Sequence, residues 1–137
     1  MGTLVSAEAT GAVERAEDAF LMSCATLQGE TLYNRDAQAL GELEHVVIDA
    51  ASGRIAYAVL VRGGVLGLGE RFHAIPWEAL EIDAGGRRFV LDIDVDRLDS
   101  APGFDDEHWP AMNDMAWSRA VREFYAANPG DSRRRAG

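Results

Sequence analysis

Apolar and polar positions are most tightly ordered between residues 41 and 80, GELEHVVIDAASGRIAYAVLVRGGVLGLGERFHAIPWEAL. Leu43, Val46, Val47 and Ile48 make a segment of strand length. Asp49-Ala50-Ala51-Ser52-Gly53 then supplies hairpin-turn chemistry, with Gly53 free to take a positive φ. After the turn the pattern alternates, with Ile55, Tyr57, Val59 and Val61 on one face and Ala56, Ala58 and Leu60 on the other. Two apolar faces predict an interior strand, and β-branched residues between glycines favour strand over helix. A third strand over 71–75 is stopped by Pro76, which cannot donate to a ladder. A fourth covers 79–83, and Gly85-Gly86 turns the chain into a fifth. There Phe89, Leu91, Ile93 and Val95 face inward, while Arg88, Asp92, Asp94 and Asp96 face mostly outward. Upstream, residues 19–26 form a continuous apolar run read as a first strand, and 31–33 add a short one. Short strands at about ten-residue spacing, without long helices between them, predict an antiparallel sandwich or barrel.

The pattern changes after Asp99. Ser100-Ala101-Pro102-Gly103 breaks the strand rhythm, and an acidic, aromatic loop follows over 104–110. A helix is predicted from Asn113 or Asp114 to just before Asn128-Pro129-Gly130. Trp117, Val121, Phe124 and Tyr125 fall at i, i+4, i+7 and i+8, a single apolar stripe. The expected organisation is a flexible leader over 1–18, a β domain over 19–98, a loop and helical extension over 99–128, and a disordered tail over 129–137.

Charge narrows the choice of partners. The 137 residues carry 23 acidic and 13 basic side chains, a net charge of −10. A surface this negative repels phosphate backbones and anionic membranes, so no nucleic acid is expected. Every residue of the Lys+Arg class is arginine. This reads as the coding bias of a GC-rich bacterial genome, and it excludes lysine chemistry such as a Schiff base. A single cysteine, Cys24, excludes an internal disulfide and is expected buried in its strand. No stretch approaches the roughly 20 apolar residues of a membrane span. The expected location is cytoplasmic.

Candidate chemistry is sparse. The glycine loop 63–69 lacks the helix and Lys-Ser/Thr pair of a phosphate cradle. Asp92, Asp94 and Asp96 imitate the start of an EF-hand loop, but Arg97 and Gly103 stand where a glycine and a bidentate glutamate are needed. His45, His73 and His108 have no close ligand spacing. Neither a nucleophile with a base nor a placed pair of carboxylates emerges, so no enzyme activity and no cofactor are expected. The candidate interaction surface is Val65, Leu66 and Leu68 of the glycine loop, with Trp109, Trp117, Val121, Phe124 and Tyr125 of the C-terminal extension. Tryptophan and tyrosine favour interfaces, but a single stripe usually finds the nearest core, so the helix is expected first to cover an open end of the domain's own core.

The block also resembles a known family. G-x-L-x-x-V-V-I-D at 41–49, G-R-I-A-Y-A-V-L at 53–60, G-G-x-L-G-x-G-E-R at 63–71 and A-I-P-W-x-A-L at 74–80 are similar to the PRC-barrel family. That family includes the cytoplasmic domain of the photosynthetic reaction-centre H subunit and a domain of a ribosome maturation factor. A-P-G-F-D at 101–105 and Trp109-Pro110 are similar to an extension of free-standing bacterial members. The resemblance implies a mainly β chain: a small, closed or nearly closed antiparallel PRC-type barrel of five to six strands with an amphipathic tail helix. It also implies binding to proteins or membrane complexes rather than catalysis. The expectation is a non-catalytic interaction or assembly module that docks on a protein partner or on itself, as a homodimer or higher. The alternative is a small-ligand or metal-binding domain using His45, His73, His108 and nearby carboxylates.

Overall fold

The computed structural model describes residues 21–63, 69–83, 85 and 88–126. Its centre is the predicted hairpin. Strand β2 (Ala39–Asp49) pairs antiparallel with β3 (Arg54–Gly63). Between them the Gly53 N–H donates to the Asp49 carbonyl at 2.7 Å, with Gly53 at φ +78°. On one side β3 pairs with β4 (Glu70–Pro76), and on the other β2 pairs with β1 (Glu30–Tyr33), both antiparallel. β5 (Glu81–Asp83) and β6 (Arg88–Val90) form a short hairpin whose β6 lies parallel to β1. The sheet order is β4-β3-β2-β1-β6-β5.

The sheet is mixed and open, which corrects the expectation of a closed antiparallel barrel. Closure would need the outer edges of β4 and β5 to meet. Instead Phe72 of β4 exchanges two backbone hydrogen bonds with Phe104 of the C-terminal extension, at 2.8 and 2.9 Å. That bridge occupies ladder positions a closing strand would use.

Three predicted strands change shape. Within the described part of 19–26 the chain forms helix α1 (Cys24–Leu27), because the Ser23 hydroxyl accepts from the Thr26 N–H at 3.1 Å and caps its first turn. Only Leu27 of that turn is buried, and Cys24, expected inside a strand, is exposed. The strand expected over 79–83 begins later, because a 3-10 turn (Trp77–Ala79) follows Pro76. The fifth strand stops at Val90. Its inward set is buried as read, with Phe89, Leu91 and Ile93 in the core, but Val95 opens helix α2 (Val95–Asp99). Asp92, expected to face outward, is buried, with an Oδ2 3.7 Å from Arg35 Nε. Asp94 takes the N-cap position of α2, and Asp96 lies in its first turn. The three carboxylates therefore share no strand face.

The tail helix α3 (Met115–Ala126) starts where Asp114 was expected to cap it. The Asp114 carboxylate accepts from the N–H groups of Ala116 at 2.8 Å and Trp117 at 3.3 Å. One core serves sheet and extension alike: Leu43, Leu60, Ile75, Leu91 and Leu98 pack in the same cluster as Ala101, Phe104, Val121 and Tyr125.

Candidate functional site

Aromatic rings gather where β2, β4 and the loop beyond α2 meet. The Phe72–Phe104 bridge brings those two rings to 5.7 Å. Trp109 lies on the pair, edge-on to Phe72 at 5.9 Å and 5.0 Å from Phe104. It also meets His45 of β2 edge-on at 5.2 Å. Phe72 and Phe104 are buried, whereas Trp109 keeps 38% of its surface in solvent. A wide ring with an apolar body, backed by buried rings and open at its rim, has the form of an interface anchor. The preceding loop is held by Asp105, whose carboxylate accepts from His108 Nδ1 at 2.7 Å and the Glu107 N–H at 3.0 Å. The hydrogen bond from His108 keeps that exposed carboxyl below the usual range.

The rest of the expected aromatic surface is turned inward. Val121 and Tyr125 are buried in the chain's own core, and Trp117 and Phe124 are half-buried against it. The Trp117 ring sits 5.3 Å from that of Tyr57 on β3, and the Tyr57 hydroxyl is 2.9 Å from the Ser118 hydroxyl. Arg122 pairs with Glu78 and reaches over Tyr57, while the Arg97 guanidinium lies 4.0 Å over the Phe124 ring. The stripe finds its own sheet because that is the nearest apolar surface, and Trp109 is the member of the aromatic set that stays exposed. Val65, Leu66 and Leu68 lie outside the described residues.

A second feature escaped the sequence reading. The start of β2, the end of β3 and the start of β4 line an open cleft of about 710 Å³. Glu42, Glu44, Glu70, Arg62, Arg71 and His73 line it, together with Asp99. Arg62 Nη1 pairs with Asp99 Oδ1 at 2.9 Å. Arg71 lies against Gly103, where a Cβ would stand 2.8 Å from its Nε. The Glu44 carboxyl is held above the ordinary range, first by desolvation and then by the hydrogen bond and charge of Glu42. His73 is 1% exposed and hydrogen-bonds through Nδ1 to the Pro102 carbonyl at 3.0 Å. Desolvation pulls its imidazole below the ordinary value, the Pro102 bond opposes this, and the charges of Arg62 and Arg71 add to the lowering. The one hint in sequence was Glu42-x-Glu44, two carboxylates two apart in a strand.

The three histidines enter three separate settings: His45 against Trp109, His73 under the cleft, His108 on Asp105. Among the described residues no group of three or more His, Cys, Asp and Glu side chains is placed to hold a metal ion. No helix among them is long and apolar enough to cross a membrane.

Comparison with curated proteins finds no match. The family model of the PRC-barrel domain, in contrast, matches residues 21–98. That span is more than half of the chain and holds the six strands found among the described residues, with the β2–β3 hairpin from which the sheet is built. The chain belongs to the PRC-barrel domain family.

Proposed function

We propose that this chain is a non-catalytic interaction or assembly module that docks on a protein partner or on a second copy of itself. One observation carries the reading: Trp109, 38% exposed, is seated on the buried Phe72–Phe104 pair and on His45. A ring pre-positioned in this way loses little conformational freedom when a partner covers it. Membership of the PRC-barrel family, whose domains often mediate protein interactions, supports the same reading. Exposed Asp106 and Glu107 beside Trp109 would form a polar, acidic rim around the anchor. Val65, Leu66 and Leu68 are the second proposed contact.

Sedimentation velocity at micromolar concentration tests self-association, and a pull-down tests a foreign partner. Trp109→Ala is expected to weaken the contact by at least about tenfold, the scale of a central aromatic anchor. A clean monomer that also recovers no partner would defeat the proposal, as would a complex indifferent to Trp109→Ala.

A further inference from the structure

We propose that the cleft over His73 binds an organic cation, an ammonium or guanidinium group carried on an aliphatic stem. The inference stands apart from the docking role of Trp109. Its starting point is the tautomer of His73. The Pro102 carbonyl can only accept, so Nδ1 carries the proton of the neutral ring and donates across 3.0 Å. Nε2 is left as a bare lone pair. It has no hydrogen-bond partner among the described residues. It is also not sealed in the core: among the described residues the enclosed, unpaired side-chain atoms are Arg97 Nε and Tyr125 Oη. The residue is 1% exposed and lines the cleft, so Nε2 opens onto that cavity. An acceptor held in one orientation on the wall of an open cleft calls for a donor.

The remaining lining selects the donor's charge. Among the described residues of the lining, four carboxylates (Glu42, Glu44, Glu70 and Asp99) face two guanidiniums, which leaves two negative charges while His73 is neutral. Arg62 is matched by Asp99 at 2.9 Å, while Arg71, which lies against Gly103, keeps its positive charge beside His73. Glu42, Glu44 and Glu70 remain as the acceptor wall. Desolvation first, then the hydrogen bond and the charge of Glu42, raise the Glu44 carboxyl, and a cation between the two would relieve the part due to charge. Leu40 and Val61 supply an apolar surface for a methylene stem. The volume of about 710 Å³ lies within the range of small-ligand sites, about 300–1,000 Å³.

A free amine and an arginine or lysine side chain of a partner share this chemistry, and the experiment separates them. The folded chain at pH 7.5 is titrated calorimetrically with agmatine, cadaverine and the capped peptides Ala-Arg-Ala and Ala-Lys-Ala, with succinate as the anionic probe. The His73 nitrogen resonances are followed in parallel by NMR. Saturable one-to-one binding of at least one cation is expected, with a shift at His73 Nε2 and a loss of about tenfold in the E42Q/E44Q variant. Glu42 is exposed and Glu44 half-buried, so that variant should retain the fold, which circular dichroism checks. Binding of the free amines assigns a small-molecule ligand, and binding confined to the peptides assigns a partner side chain; either supports the site. The proposal is overturned if no cation saturates, if Nε2 does not move, if E42Q/E44Q binds undiminished, or if succinate binds better.

Discussion

Gly41→Ala should destabilise the domain by about 3 kcal/mol, and the estimate divides into two separable parts. Gly41 sits inside β2 at φ +151°, a conformation L residues rarely adopt. Forcing a Cβ onto such a backbone costs about 1–2 kcal/mol. An alanine Cβ would also stand 2.6 Å from the Val61 carbonyl oxygen and 3.0 Å from both Arg62 Cγ and Leu60 Cδ1. The nearest of these is backbone in the neighbouring strand, so β2 and β3 must part locally, an overpacking strain of about 1–3 kcal/mol. Gly53→Ala is the control. It shares the positive φ, at +78°, but a Cβ there meets nothing within 4 Å. It should therefore cost only the conformational part, about 1 kcal/mol. Both substitutions stiffen the unfolded chain to a similar degree, so that contribution cancels in the comparison. With a urea slope of about 1.5 kcal/mol per molar, midpoints should fall by about 2 M for Gly41→Ala and about 0.7 M for Gly53→Ala. A Gly41→Ala midpoint no lower than that of Gly53→Ala would refute the steric argument. The close approach of β2 to β3 would then not be the reason for a glycine at that position.

Two further outcomes follow from buried polar groups. The Tyr125 hydroxyl is buried without a partner among the described residues, and burial pushes its ionisation well above the usual phenol range. Tyr125→Phe should be neutral or stabilising by up to about 1 kcal/mol, read as an unchanged or raised urea midpoint; a marked loss would mean that the hydroxyl has a partner. His73 is held neutral in the fold, with its imidazole below the ordinary value of 6.5. The unfolded chain binds the proton first, so stability present above pH 6.5 should fall as the pH drops from there toward the folded-state value. The urea midpoint followed from pH 7.5 to 5 checks the direction, and NMR of His73 checks the group. An imidazole that protonates at or above 6.5 in the folded chain would contradict the burial argument.

The sequence carried most of the sheet because its strong signals are local. The turn at Asp49–Gly53 and the alternation through Tyr57, Val59 and Val61 need no distant information, and both appear as read, while a register shift between Val47 and Ile48 takes Ile55 out of that alternation. The misread elements are those in which a neighbour decides. Residues 24–27 are apolar enough for a strand, but the Ser23 hydroxyl caps a helical turn there. Asp92 alternates with Phe89, Leu91 and Ile93 as an outward residue should, yet the strand ends at Val90 and Arg35 stands within 3.7 Å. The open edge of β4 is settled by Phe104, more than thirty residues downstream, and no periodicity within β4 could announce it.

The two candidate surfaces differ in the same way. Trp109 could be singled out from sequence because an aromatic residue in an acidic loop is conspicuous, and its seat on Phe72 and His45 then gives it a rigid base. The cleft could not be found, since Glu42, Arg62, His73 and Asp99 come from four elements and each alone looks ordinary. What joins them is the C-terminal extension: Asp99 pairs with Arg62, Pro102 orients His73, and Gly103 gives Arg71 a surface to lie on. Phe104 and Trp109 of the same segment complete the aromatic seat. The segment after α2, bridged antiparallel to β4 at Phe72 and Phe104, thus contributes to both surfaces. A substitution that loosens the Phe72–Phe104 bridge should therefore disturb the orientation of His73 and the anchoring of Trp109 together.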